Sequence, residues 1–143
     1  MNIEELERQS KEDLKLSIDS LEYDSIRTPQ INHKYIKELL IAKDLYSRYE
    51  FDLKRLKKRK WLYYSGKANP EVYVEKPLDL KIMKSDLKMF IESDKDVIEL
   101  EYKLSFIKRK IFLIEKIIEE CNRRSYHINN AIKMLKFKNG EFD

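Results

Sequence analysis

From Val97 onward the apolar positions recur every three or four residues without a gap. The series runs Val97, Leu100, Leu104, Ile107, Ile111 and Ile114, then Ile118, Cys121, Ser125, Ile128, Ile132 and Leu135, with Ser125 its one polar member. That spacing is the seam of a packed amphipathic helix. A second apolar stripe runs beside it through Ile98, Phe106, Phe112 and Leu113. A continuous helix of these 39 residues is about 58 Å long. A compact chain of this size has a radius of gyration of only about 14–15 Å. The helix therefore either breaks near residues 122–125 or is covered by neighbouring copies, and two stripes favour burial against both its own chain and a second subunit.

Earlier in the chain the same periodicity predicts shorter elements. Leu6, Leu14, Ile18 and Leu21 predict a helix over 2–23, with a break at Thr28-Pro29 because proline is poorly tolerated inside a helix. Tyr35, Leu39, Ala42, Tyr46, Tyr49, Leu53 and Leu56 step by fours and threes and predict a long second helix. Ser65-Gly66 is its stop. Between Ala68 and Leu78 the periodicity is lost; Val72, Tyr73 and Val74, fenced by Pro70 and Pro77, suggest at most a short β element near 71–76. Leu80, Met83, Leu87 and Phe90 predict a short helix over 79–91. Ser93 is the expected cap of the final helix, with Asp94 and Asp96 in its first turn. The expected fold is mainly α, built of long amphipathic helices and assembling into a ring-like homo-oligomer. Its expected regions are 1–67, helical with a binding patch, a connector over 68–92, and an oligomerisation region over 93–143. The oligomerisation seam comprises Leu104, Ile107, Ile111 and Ile114, followed by Ile118, Ile128, Ile132 and Leu135.

Composition agrees with such helices. The chain is 42% hydrophobic and 39% charged, too charged for a dense ordinary core and too apolar for disorder. Two glycines and three prolines leave few turns. The lone Cys121 has no partner for an internal disulfide, and neither a leading apolar run nor a membrane-length apolar stretch is present, which predicts a cytosolic protein. Charge is blocked rather than uniform: residues 1–24 carry a net −5, 25–67 a net +8, 68–101 a net −4 and 102–143 a net +5. Alternating blocks suit contact between neighbouring subunits as well as a polyanion.

The basic block is concentrated in one place. Lys54, Arg55, Lys57, Lys58, Arg59 and Lys60 put six cations in seven residues, and Trp61, Tyr63, Tyr64 and Lys67 follow directly. Cations alone would serve a duplex; aromatics beside them suit single-stranded nucleic acid, whose unpaired bases stack for about 1–3 kcal/mol each. Because successive helical residues point in every direction, only part of this cluster can face one ligand.

Other chemistries are weakly supported. Two distant glycines exclude a phosphate-cradling loop and hence an ATP-driven motor. His33, His127 and Cys121 lack partners at metal-binding spacing, so neither metal nor cofactor is expected. Asp94/Asp96 and Glu99/Glu101 read better as helix-start and solvated-face residues than as a nuclease site. The chain reads as a binding protein rather than an enzyme. A helical protein–protein adaptor without direct DNA binding is the alternative.

The segment from Lys58 through Trp61-Leu62-Tyr63-Tyr64-Ser65-Gly66-Lys67 resembles the signature of the UvsY family, the recombination mediators of T-even-type bacteriophages. Ser93-Asp94-Lys95-Asp96-Val97 and Arg124-Ser125-Tyr126 resemble two further family segments, in the same order and at matching intervals. The resemblance implies a non-enzymatic protein that binds single-stranded DNA, contacts the phage single-strand-binding protein and helps load the phage recombinase. It implies ring-like homo-oligomers of six or seven subunits joined through the C-terminal region, acting in the cytoplasm of the infected bacterial host. The family's DNA-contacting basic positions map onto Lys58 and Lys60; Arg59 and Trp61 depart from its pattern.

Overall fold

Five α-helices account for most of the chain in a computed structural model that describes residues 1–141: α1 (Ile3–Asp13), α2 (Leu21–Tyr64), α3 (Pro70–Glu75), α4 (Leu87–Glu92) and α5 (Lys95–Lys138). Single 3-10 turns at Ile18–Ser20 and Lys84–Asp86 lead into α2 and α4. No strand occurs among the described residues, so the expectation of a mainly α fold holds. The last two positions of the expected 93–143 region lie outside the described residues. The chain forms two compact units, one of Met1–Lys43 with 109–141 and one of Asp44–Lys108.

In the first unit the core is Leu6 from α1, Ile31, Tyr35 and Ala42 from α2, and Ile114, Ile117 and Cys121 from α5. Each fully buried aliphatic side chain contributes about 1.5–3 kcal/mol. Asn2 starts α1 by accepting a 2.8 Å hydrogen bond from the Glu5 amide. The expected helix over 2–23 is divided: α1 stops at Asp13, and α2 begins at Leu21.

The expected break at Pro29 does not occur; α2 continues through it. Proline removes one amide donor there, and other groups secure the surrounding turn. The Asp24 carbonyl accepts from Thr28 Oγ1 at 3.0 Å and from Arg124 Nε and Nη2 at 3.3 and 3.2 Å. Cys121 Sγ donates to the Thr28 carbonyl at 3.7 Å. Arg124 is only 1% exposed, and its Nη1 donates to the Asp13 carbonyl at 2.7 Å. A single guanidinium thus ties the end of α1 to the start of α2 from within the core.

The α5 seam is broader than the sequence pattern. The helix does not break near 122–125. Ile114, Ile117, Cys121, Arg124 and Ile128 are buried, whereas Ser125 is exposed. Ile111, Leu113 and Ile118 pack half-buried against the same core. A helix facing both α1 and α2 buries a wider band than a two-helix seam. Leu104 and Ile107 are buried in the second unit, Leu135 is half-buried and Ile132 is exposed.

In the second unit the end of α2, α3, α4 and the start of α5 come together. The β-prone stretch near 71–76 is helical instead. Pro70 opens α3 with its φ preset for a helix. The Tyr73 hydroxyl donates to the Tyr63 carbonyl at 2.8 Å and accepts from the Ala68 amide at 3.2 Å. Those tertiary bonds override a modest β-propensity. The helix expected over 79–91 is reduced to the Lys84–Asp86 turn and α4, with Leu80 and Met83 exposed. Ser93 closes α4, its hydroxyl donating to the Met89 carbonyl at 2.7 Å. The cap of α5 is Asp94, whose Oδ1 accepts from the Asp96 amide at 2.9 Å and the Val97 amide at 3.4 Å.

Candidate nucleic-acid interface

The basic cluster lies wholly on the last turns of α2, inside the second unit, so its cations are carried by a rigid helix. Gly66 ends that helix at φ +78°, a conformation that costs a glycine little. The Gly66 amide bonds the Tyr63 carbonyl at 3.2 Å and the Lys67 amide bonds Leu62 at 2.9 Å, the paired closure that satisfies the last carbonyls. Lys67 is thereby turned back toward the helix, its Nζ 4.8 Å from the centroid of the Trp61 ring.

Helical geometry divides the cluster between two faces. On one face Lys60, Tyr63 and Tyr64 hold the unit together. Lys60 Nζ lies 2.7 Å from Asp96 Oδ2 and 3.3 Å from Asp94 Oδ2, with side-chain exposures of 17% for Lys60 and 8% for Asp94. Tyr64 donates to Asp94 Oδ2 at 2.6 Å. Tyr63 stacks on Tyr73 at 5.5 Å between centroids, and its hydroxyl donates to the Lys76 carbonyl at 3.1 Å.

Protonation follows from these contacts. Burial pushes the Asp94 carboxyl up, but the Tyr64 hydrogen bond, the Asp96 amide and the Lys60 ammonium outweigh it and hold Asp94 below the usual aspartate range. Hydrogen bonding and charge from Lys60 hold Asp96 low. Burial opposes the charge on Lys60, yet the two aspartates raise its pKa above the ordinary lysine value. Burial and the bond to Asp94 push the Tyr64 phenol up. All four groups are locked in their neutral-pH states.

The other face is open. Lys57, Lys58, Trp61, Ser65 and Lys67 line a groove of ≈ 740 Å³, whose far wall is the segment from Ile82 to Glu92. Trp61 is 40% exposed. Among the described residues Lys58 and Arg59 have no acidic partner; Lys57 makes an exposed 3.5 Å pair with Glu101. Arg55 is exposed 4.0 Å from Asp52, and Lys54 sits 5.7 Å over the Phe51 ring. Exposed pairs of this kind are worth about 0–1 kcal/mol and yield readily to a phosphate.

The structure therefore gathers Lys57, Lys58, Trp61 and Lys67 at one groove and directs Lys60, Tyr63 and Tyr64 into internal contacts. Sequence reasoning missed Lys84 and Lys88, which line the same groove. They lie in an acidic block, and their four-residue spacing is the single local signal that they share a side.

Among the described residues no group of His, Cys, Asp and Glu is arranged to hold a metal ion, and no helix is long and apolar enough to cross a membrane.

The fold matches solved structures. Three crystal structures of the recombination mediator protein UvsY of bacteriophage T4 share it. The lattice type II structure aligns with a TM-score of 0.84 at 21% identity, covering 96% of this chain and 98% of that one. Lattice type IV gives 0.82 at 20% identity, over 96% and 99% of the two chains. Lattice type I gives 0.83 at 20%, over 94% and 98%. No curated protein matches the chain in sequence. A family model described as recombination, repair and ssDNA binding protein UvsY matches residues 9–141, nearly the whole chain. The chain belongs to the UvsY family.

Proposed function

We propose that the chain is a non-enzymatic recombination mediator: it binds single-stranded DNA through the end of α2 and helps a phage recombinase load onto DNA covered by the phage single-strand-binding protein. The observation that carries the DNA contact is the division of the basic cluster. Lys58 lacks an acidic partner among the described residues and stands beside the exposed Trp61 ring, with Lys67 over that ring. Cation and aromatic side by side suit a phosphate and its unstacked base. Family membership supports the recombination role.

Copies of the chain assemble into a ring of six or seven subunits, as the resemblance implies, in the cytoplasm of the infected host. Ile98, Tyr102 and Phe112 are exposed apolar residues of α5 and suit that assembly better than the buried seam. The 1–67 region then carries the patch, 68–92 connects, and 93–143 assembles. A ring repeats the patch, so that a strand crossing several subunits gains avidity from high effective concentration. It also holds that strand extended, within reach of the recombinase.

Mobility shift of an oligothymidylate at low salt tests the DNA contact. A retarded complex is expected, and absence of any shift removes this reading.

A further inference from the structure

We propose that Lys84 and Lys88 form a second cationic wall of the DNA site, so that an unpaired base enters the groove and stacks on Trp61 while flanking phosphates bridge the two walls. This rests on the single-stranded DNA reading above and adds to it a location for the strand.

Charge is the first support. Residues 68–101 carry five basic and nine acidic side chains, yet two of those five, Lys84 and Lys88, line this groove. Opposite them stand Lys57, Lys58 and Lys67. The one acid in the lining, Glu92, makes an exposed 3.9 Å pair with Lys88. Five cations against one anion fit a polyanion.

The floor is the second support. Ile82, Leu87 and Ile91 line the groove on the same segment as Lys84 and Lys88, with Leu87 buried and the other two half-buried. Phosphate gains nothing from an aliphatic floor, whereas a nucleobase has two apolar faces to cover. The groove's ≈ 740 Å³ lies within the about 300–1,000 Å³ typical of small-ligand sites. Bases in a duplex are stacked and cannot enter without being flipped out at a cost of a few kcal/mol. The same groove therefore selects single strands over duplexes, which lysines on an open helix face would not.

Trp61 is the chain's only tryptophan, so its fluorescence reports the groove directly. The full-length protein is titrated with an oligothymidylate, with an abasic strand of equal length and with a polyglutamate peptide. Oligothymidylate is expected to quench Trp61 strongly, and the abasic strand to bind several-fold more weakly and leave emission nearly unchanged. Replacing both Lys84 and Lys88 with alanine is expected to flatten the slope of log affinity against log salt by about 1.4, from about 0.7 per phosphate contact. Both lysines are exposed, and unchanged helicity by circular dichroism confirms that the variant folds.

Equal quenching by the abasic strand overturns base insertion. An unchanged slope in the double variant, with Lys58→Ala still flattening it, confines the phosphate contacts to the α2 side and overturns the second wall. Equal quenching by polyglutamate makes the groove a site for acidic polypeptides instead. Failure of the wild-type chain to bind any strand removes the underlying DNA reading itself, a result distinct from all three.

Discussion

Tyr64 donates a 2.6 Å hydrogen bond to Asp94 Oδ2, while the other oxygen of that carboxylate caps α5. One aspartate therefore fastens the end of α2 to the start of α5. The Tyr64 hydroxyl is thereby engaged in fastening the second unit. Tyr64→Phe is expected to cost about 1.5–3 kcal/mol, the worth of a hydrogen bond to a charged group. Thermal unfolding should show the loss, while affinity for an oligothymidylate stays unchanged.

Trp61→Ala should behave in the opposite way. The ring is 40% exposed, so its removal leaves the melting temperature within a few degrees of wild type. Binding of single-stranded DNA should weaken by about 1–3 kcal/mol, the value of one stacked base. Parallel melting and titration of the two variants separates the fastening face from the open face.

Lys58 and Lys60 divide along the same line. Lys58→Ala is expected to flatten the salt slope by about 0.7 with little change in stability. Lys60→Ala leaves the buried Asp94 without its cation and should lower stability by about 1.5–3 kcal/mol. Chemical denaturation of both variants, alongside their salt titrations, checks the assignment.

Acid sensitivity follows from the aspartates. Asp13, Asp94 and Asp96 are all held below the ordinary value of 3.8. At Asp13, burial works against the charge, but hydrogen bonds from Lys34 and Tyr35 prevail. A carboxyl whose folded pKa is depressed contributes stability that is complete above the unfolded value and lost as pH falls through the folded one. The melting temperature should hold from neutrality to about pH 5 and drop below about pH 4. Asp94→Asn should start lower at neutral pH and fall less steeply in acid.

Much of this architecture is legible in the residues themselves. The apolar periods of α2 and α5 mark long helices, and Ser65-Gly66 marks the end of α2 because a glycine tolerates φ +78°. The role of Tyr64 is hidden because its partner lies thirty residues along the chain. Arg124 is hidden for a related reason. A cation in a seam reads as a break or as surface, and the carbonyls of Asp13 and Asp24 together with the buried Asp24 carboxylate, 3.6 Å from Nη2, make its burial tolerable. The helical turn of α3 likewise depends on what Tyr73 meets on α2, which local propensity does not encode. Lys84 and Lys88 are obscured by the acidic residues around them.

Folding and the proposed assembly are expected to respond to different positions on α5. Ile118 packs against the core of its own unit, so Ile118→Glu should destabilise the fold. Phe112 is 61% exposed, with the Lys116 ammonium 5.4 Å from its ring. Phe112→Glu should leave helicity intact, reduce the mass measured by light scattering and weaken DNA binding through lost avidity. Unchanged mass would place the subunit contact elsewhere.

The most direct measurement is the salt dependence of oligothymidylate binding by the intact protein. Five groove lysines on phosphate predict that log affinity falls against log salt with a slope of about −3.5, at about −0.7 per contact on a single strand. A slope near −1, or no measurable binding at low salt, would contradict a DNA site built on the open face of α2.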